Sequence, residues 1–203
     1  PWVVHTVSMG ESSIDEIIGE MEKLNNPTVG LLANPGQTDV RVTAKASSAE
    51  EAYRMIEPVL VEIRKKLSKH IYGENDDTIQ SVVAGMLKEH NKRITVIESG
   101  TGAIVFNALS CHLDQQNLTG ELLDVNINHE TFKTLMQEYR EKKQADLVLG
   151  LMLTSQDEEP ELYIALLDHE SITEYNRIYG GPSGDARRWA LNVSLDLVRN
   201  KFI

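Results

Sequence analysis

Ser99 lies in the stretch RITVIESGTGAIVFNALS (93–110), where residue types change in an order that could serve a reaction. An apolar run at 94–97 stops at Glu98-Ser99-Gly100-Thr101-Gly102, and a helix-like stretch follows. A serine between a strand and a helix has two readings. As a nucleophile it needs a base in hydrogen-bond reach, because a hydroxyl alone is weakly nucleophilic. As a helix cap or part of a generic anion site it needs only its place, since a helix start offers unpaired N–H groups and partial positive charge. Gly100 and Gly102 would let a ligand approach the backbone closely. A second candidate is Gly180-Gly181-Pro182-Ser183-Gly184-Asp185, followed by Arg187 and Arg188. It reads either as a phosphate-binding corner or as a capped loop with solvated arginines.

Other chemistry-bearing residues carry weaker signals. The six histidines (5, 70, 90, 112, 129 and 169) include no i,i+4 pair, and no HExxH or Cys/His cluster is present. No metal site and no cofactor are expected. Cys111 excludes an internal disulfide and reads as a buried, inert thiol; its neighbour His112 would point another way on a helix. The carboxylates of Asp157-Glu158-Glu159-Pro160-Glu161 read as a solvated turn. Trp2 and Trp189 read as core or interface residues. The formal net charge of −11 argues against a nucleic-acid backbone as partner. Arg64-Lys65-Lys66 with Lys69 suits the solvated C-terminal end of a helix. No apolar run approaches the roughly 20 residues of a membrane span, and no signal peptide opens the chain. A cytoplasmic protein with no membrane partner is expected.

The elements that must position these residues follow from periodicity. A strand at 2–7 precedes a helix carrying Ile14, Ile17, Ile18, Met21 and Leu24, broken at Asn25-Asn26-Pro27. Strands are predicted at 28–33 and 39–46 around the turn Asn34-Pro35-Gly36. A serine cap at Ser47-Ser48 opens a helix bearing Ile56, Leu60, Ile63 and Leu67, with Pro58 predicting a kink or two helices in succession. This is a β-α-β-β-α module over 1–73, with a turn-rich, acidic boundary at 71–78. The order is shared by KH-like RNA-binding modules, but no GxxG loop is present and the segment through Glu74 holds eight Lys/Arg against eleven Asp/Glu. RNA binding is therefore not expected.

Beyond the boundary, a helix to about 89, the 94–99 strand, a helix to about 113, a strand at 118–125 and a helix at 129–143 alternate. Apolar segments at 145–153, 162–167 and 172–179 then run consecutively before a last helix at 185–199. The fold class is α/β (α+β): a small module followed by a sandwich domain, 74–203, with a mixed sheet.

Several stretches resemble the middle and C-terminal parts of the CinA family, the competence/damage-inducible proteins, over nearly the whole chain. GESSIDEII resembles the family's GES-plus-helix opening, and NPTVGLLANPGQTDVRVTAKA its NPTVA-LA-PGEV-VRLTA hairpin. IYGENDDTIQSVV resembles its IYGEDD-TLE-VV junction, ITVIESGTGA its LAVAESCTGG, and YGGPSGDARRWALNVSLDLVRN its final Arg-rich helix. The resemblance implies a further N-terminal domain, of molybdopterin-binding type and linked to nucleotide pyrophosphatase activity. That agrees with a chain that starts at Pro1 directly in a strand, and a fragment of a longer protein is expected.

For the C-terminal domain the resemblance implies a nicotinamide mononucleotide amidase, which hydrolyses the carboxamide to nicotinic acid mononucleotide and ammonia without a metal. Ser99 matches the serine of ESCTGG, its expected nucleophile. The departures are specific. Gly100 and Ala103 stand where the family has cysteine and a second glycine. A VVAYSNEAK-like strand supplies the family's assisting tyrosine and lysine, whereas NLTGELLDVNINHE here contains neither. The GIAGP loop is replaced by GLMLTSQDEEPE from Gly150. The expectation is a diverged amidase domain, of uncertain activity, that keeps a nucleotide-binding or scaffolding role. Ser99 stands in the nucleophile's place, and Gly100, Thr101, Gly102, Arg187 and Arg188 are the expected substrate-binding residues. A nicotinamide-type nucleotide and a second copy of the chain are the expected partners. The alternatives are an active amidase that recruits His112, His129 or Lys133, and an interaction module without a ligand.

Overall fold

The computed structural model describes residues 1–123, 127–154 and 159–203. It divides into two compact units, Pro1–Ile79 and Gln80–Ile203.

In the first unit β1 (Trp2–Val7), β2 (Thr28–Asn34), β3 (Gln37–Thr43) and β4 (Ile71–Glu74) form an antiparallel sheet in the order β2-β3-β1-β4. Helices α1 (Glu11–Glu22) and α2 (Ala49–Leu67) pack on it. Val4, Val29, Val40 and Val42 from the strands meet Ile14 and Ile18 of α1 and Ile56, Leu60, Ile63 and Leu67 of α2 in one core. The α2 side of that core is the apolar stripe that its 3.6-residue period supplies.

Three local expectations change. The 71–78 boundary contains β4, a strand paired with β1 across a register shift between His5 and Thr6. It carries little alternation of its own and is fixed by tertiary partners: Glu74 accepts from Arg64 Nε of α2 at 2.7 Å and from Trp2 Nε1 at 2.6 Å. The strand expected at 39–46 starts and ends earlier, because β2 and β3 pair up to Asn34 and Gln37 around Gly36, whose φ is 77°. Helix α2 runs unbroken through Pro58 as one element of 19 residues. Its start is capped as the sequence suggests, with Ser48 Oγ accepting from Glu51 N at 3.1 Å.

The second unit begins with α3 (Ile79–Glu89), β5 (Ile94–Ser99) and α4 (Ile104–Ser110). It continues with β6 (Leu118–Leu123), α5 (His129–Lys143), β7 (Leu147–Thr154), β8 (Glu161–Leu167), β9 (Ile172–Ile178) and α6 (Ala186–Arg199). The sheet order is β6-β5-β7-β8-β9, parallel across β6, β5 and β7 and antiparallel from β7 to β9. It is the mixed sheet of an α/β sandwich. The end of the strand expected at 118–125 and the start of the acidic turn expected at 157–161 lie outside the described residues.

Register assigns the faces of this sheet. Ile97, Gly150, Ala165 and Glu174 are successive cross-strand partners, and so are Ser99, Met152, Tyr163 and Asn176. Side chains two apart share a face, so both rows look the same way. Helix α5 lies on that face, its Phe132 and Met136 packed with Ile97, Met152, Tyr163 and Ala165. Small residues make the space: a Cβ on Gly150 would sit 2.5 Å from Phe132 and 2.6 Å from Met136. On the opposite face Gly120 admits Phe106 of α4, and α6 packs against β7 and β8.

Candidate functional site

Ser99 is the last residue of β5, at the carboxyl edge of the parallel strands, where open α/β sheets bind ligands. It is not the helix cap. Helix α4 begins five residues later with Ala103 as its N-cap, and the strand's two-residue period turns Ser99 to the α5 face. Glu98 points the other way and serves α4 instead. Its carboxylate, 1% exposed, accepts from Phe106 N at 2.8 Å, Val105 N at 3.3 Å and Thr101 Oγ1 at 2.5 Å. The N–H groups that would make a generic anion site at α4 are therefore already held by this chain's own carboxylate, which corrects that reading.

The turn between Ser99 and α4 is built from positive φ angles: 72° at Gly100, 71° at Gly102 and 59° at Ala103. Gly100 backs onto β7, since a Cβ there would lie 1.9 Å from the Leu153 carbonyl oxygen. Thr101 is buried and committed to Glu98. Gly102 faces the Arg187 guanidinium, whose Nη1 lies 3.3 Å from where a Cβ would stand. Arg187 and Arg188 are both exposed near the start of α6, and among the described residues neither makes a hydrogen bond or ion pair. The structure thus brings Arg187 to Gly102, while Ser99 opens onto the opposite face.

On that face Ser99 borders a small cavity of about 80 Å³ together with Ile127, His129, Met152, Leu153, Thr154, Glu161, Tyr163 and Asn176. Arg187, Arg188 and His112 are not among its walls. His129, the first residue of α5, stacks on Tyr163 with ring centroids 3.9 Å apart and planes 13° from parallel. The Tyr163 hydroxyl donates to Glu174 Oε2 at 2.7 Å, and Lys133 Nζ lies 2.6 Å from Glu130 Oε1 and 3.5 Å from Glu174 Oε2. A tyrosine therefore does line the serine's cavity, although from β8 and not from the segment expected to supply it, while Lys133 of α5 reaches only its partner Glu174.

Their chemistry is committed elsewhere. Burial and the bond to Glu174 push the Tyr163 phenol well above its ordinary range. That same bond, helped by Lys133, holds the Glu174 carboxyl below the usual value. The proton therefore stays on Tyr163. Lys133 is raised by its hydrogen bond to Glu130 and by the nearby charge of Glu174, so it stays an ammonium. Neither group is a base, and Ser99 makes no side-chain hydrogen bond among the described residues. Among the described residues, His129 and the Glu161 carboxylate are the proton acceptors that border the same cavity.

Sequence reasoning missed Glu98, Glu161, Tyr163, Glu174 and Asn176. Glu98 was legible, because it sits one position out of phase with Ser99 on a period of two. The others depend on cross-strand register, which a single sequence does not display. Cys111, expected buried, is exposed, with Sγ 3.5 Å from Asn107 O; at the end of the short α4 it falls on the outer side. Among the described residues no group of three or more His, Cys, Asp or Glu could hold a metal, and no helix is long and apolar enough to cross a membrane.

Residues 2–73 match the family model of the damage-inducible protein CinA KH domain. A CinA-like protein of Prochlorococcus marinus (strain AS9601) is 43% identical over 102 residues, which is 50% of this chain and 24% of that protein. A CinA-like protein of Dictyoglomus turgidum is 40% identical over 104 residues, 51% of this chain and 25% of its own. The matched stretch spans about a quarter of the length of these relatives. Among solved structures, a competence or damage-inducible protein from Enterobacter asburiae superposes with a TM-score of 0.52 at 16% identity. The superposition covers 62% of this chain and 99% of that one. A CinA superfamily protein from Klebsiella pneumoniae gives a TM-score of 0.53 at 15% identity, covering 61% and 95% of the two chains. The shared property at this identity is the fold. Residues 2–73 match the CinA KH-domain family, about half of the chain is similar to CinA-like proteins, and 62% of it shares the α/β fold of a competence or damage-inducible protein.

Proposed function

We propose that the second unit is a diverged nicotinamide-nucleotide amidase domain that binds a mononucleotide without hydrolysing it. The observation that carries this reading is the commitment of the groups around Ser99. The Tyr163 hydroxyl donates its hydrogen bond to Glu174, and Lys133 is held between two carboxylates. Thr101 is spent on Glu98. With Tyr163 and Lys133 so held, neither takes the proton of Ser99, and a serine whose proton no base takes does not attack a carboxamide. Binding needs less. The cavity at the carboxyl edge of the sheet takes the ring end of a small ligand, since nucleotide-sized pockets run to roughly 300–1,000 Å³. Arg187 beside Gly102, at the same edge of the sheet, supplies a cation that pairs with no carboxylate among the described residues and is available to a phosphate.

Titration of nicotinamide mononucleotide into the full chain tests this directly. Measurable affinity is expected in the wild type, and Arg187→Ala should weaken it by roughly tenfold, the loss of one charge-assisted contact, with an unchanged melting temperature. Unchanged affinity in that variant would remove Arg187 from the site, and no wild-type binding would remove the nucleotide.

A second reading is favoured by His129. Its ring borders the same cavity as Ser99, so an amidase that uses a histidine base is the working alternative. It requires turnover lost in both Ser99→Ala and His129→Ala.

A further inference from the structure

Strand β9 closes one edge of the second unit's sheet, and among the described residues no strand pairs with its outer side. The ladder fixes which of its backbone groups face outward. Tyr179 N donates to Pro160 O at 2.8 Å, and Asp168 N donates to Ser171 O at 3.0 Å. Residues 171, 173, 175, 177 and 179 therefore turn their N–H and C=O groups toward β8. Ile172, Glu174, Asn176 and Ile178 turn theirs away from the sheet. Such an edge is a template for another strand, and proteins guard it with lysine, proline, a bulge or a short strand. Strand β9 has no such guard: its seven residues, ITEYNRI, run in unbroken register with β8. It also exposes apolar side chains, Ile172 at 37%, Tyr175 at 44% and Ile178 at 63%.

We infer that β9 pairs antiparallel with β9 of a second copy of this chain, about a twofold axis at Tyr175. The strand is its own complement in that register. Ile172 stands opposite Ile178 of the second copy, Thr173 opposite Arg177, and Glu174 opposite Asn176. The residues with outward N–H and C=O groups then form the hydrogen-bonded pairs. Tyr175 meets its own copy at a non-hydrogen-bonded pair, where side chains come closest. An axis at Glu174 would set that carboxylate against itself, and an axis at Asn176 would set it against Ile178. The Tyr175 axis alone pairs all seven residues. Strand β9 carries one charge of each sign, Glu174 and Arg177, so a chain of net charge −11 meets itself here without local repulsion. The same pairing brings Glu174 of the second copy beside Asn176, a wall of the Ser99 cavity.

Light scattering of the full chain across a concentration series reads the mass, which should rise to that of two chains. Ile178→Lys should return it to one chain with an unchanged melting temperature, because Ile178 is the most exposed of the three apolar residues. Single cysteines in a Cys111→Ser background, oxidised with diamide, read the register. Tyr175→Cys faces itself across the axis within reach of a disulfide and should give a covalent dimer, whereas Thr173→Cys faces Arg177 and should give little. A one-chain mass at every concentration, a two-chain mass that Ile178→Lys leaves intact, or cross-linking at 173 equal to that at 175 would overturn the inference. None of these readouts depends on nucleotide binding, so the two claims stand or fall separately.

Discussion

Both ring nitrogens of His5 face acceptors, Nδ1 the Asp39 carboxylate of β3 at 2.7 Å and Nε2 the Asn75 carbonyl at 2.8 Å. Each contact needs an N–H, so the geometry calls for the imidazolium. The hydrogen bond to Asp39 raises its pKa above the ordinary 6.5, burial opposes this, and the Asn75 carbonyl adds to the rise. Asp77 contributes attraction from the loop after β4, and Tyr72 of β4 stacks on the ring with centroids 5.5 Å apart. A raised folded pKa stabilises fully below pH 6.5 and is lost as pH rises through the folded value. Melting of the full chain should therefore fall from pH 6 toward pH 9, and His5→Gln should flatten that slope. A His5 pKa at or below 6.5 by NMR would contradict it. The turn after Ser99 gives a second residue-scale prediction. Ala103 holds φ at 59°, a left-handed conformation that costs an L-residue about 1–2 kcal/mol. Ala103→Gly should relieve that strain against roughly 0.4–1 kcal/mol of unfolded-state entropy. The expected result is a gain of about 0.5 kcal/mol in denaturant unfolding.

At the scale of elements, α5 is the part that makes the Ser99 face a site, and Gly150 is what lets it approach. Gly150→Ala would place a methyl against Phe132 and Met136, both fully buried. Overpacking of that kind costs about 1–3 kcal/mol. The same variant should displace His129 and weaken ligand binding, which titration of the variant checks. Much at this level was legible in the sequence. The stripe Ile56, Leu60, Ile63 and Leu67 gave α2, and the alternation around Val40 and Val42 gave β3, because one face of each is buried and the pattern repeats at the period of the element. Strand β4 was not legible, since four residues carry too little pattern and its pairing with β1 comes from 65 or more positions away. Ser99 could be found from its own neighbours. Its surroundings could not: Tyr163 and Asn176 reach it only through two successive strand registers, and the sequence shows neither.

For the whole molecule, the division at 79/80 sets which properties belong together. The first unit has a histidine lock and a KH-type order of elements. The second unit holds the serine, its cavity, Arg187 and Arg188. A retained pocket with lost activation, as proposed for this unit, is tested by turnover. The most direct measurement is ammonia release from nicotinamide mononucleotide by the wild type beside Ser99→Ala, with thermal shift read on the same samples. The account predicts equal, background-level ammonia from both proteins and a ligand-dependent rise in melting temperature for each. Release by the wild type that Ser99→Ala abolishes would contradict it.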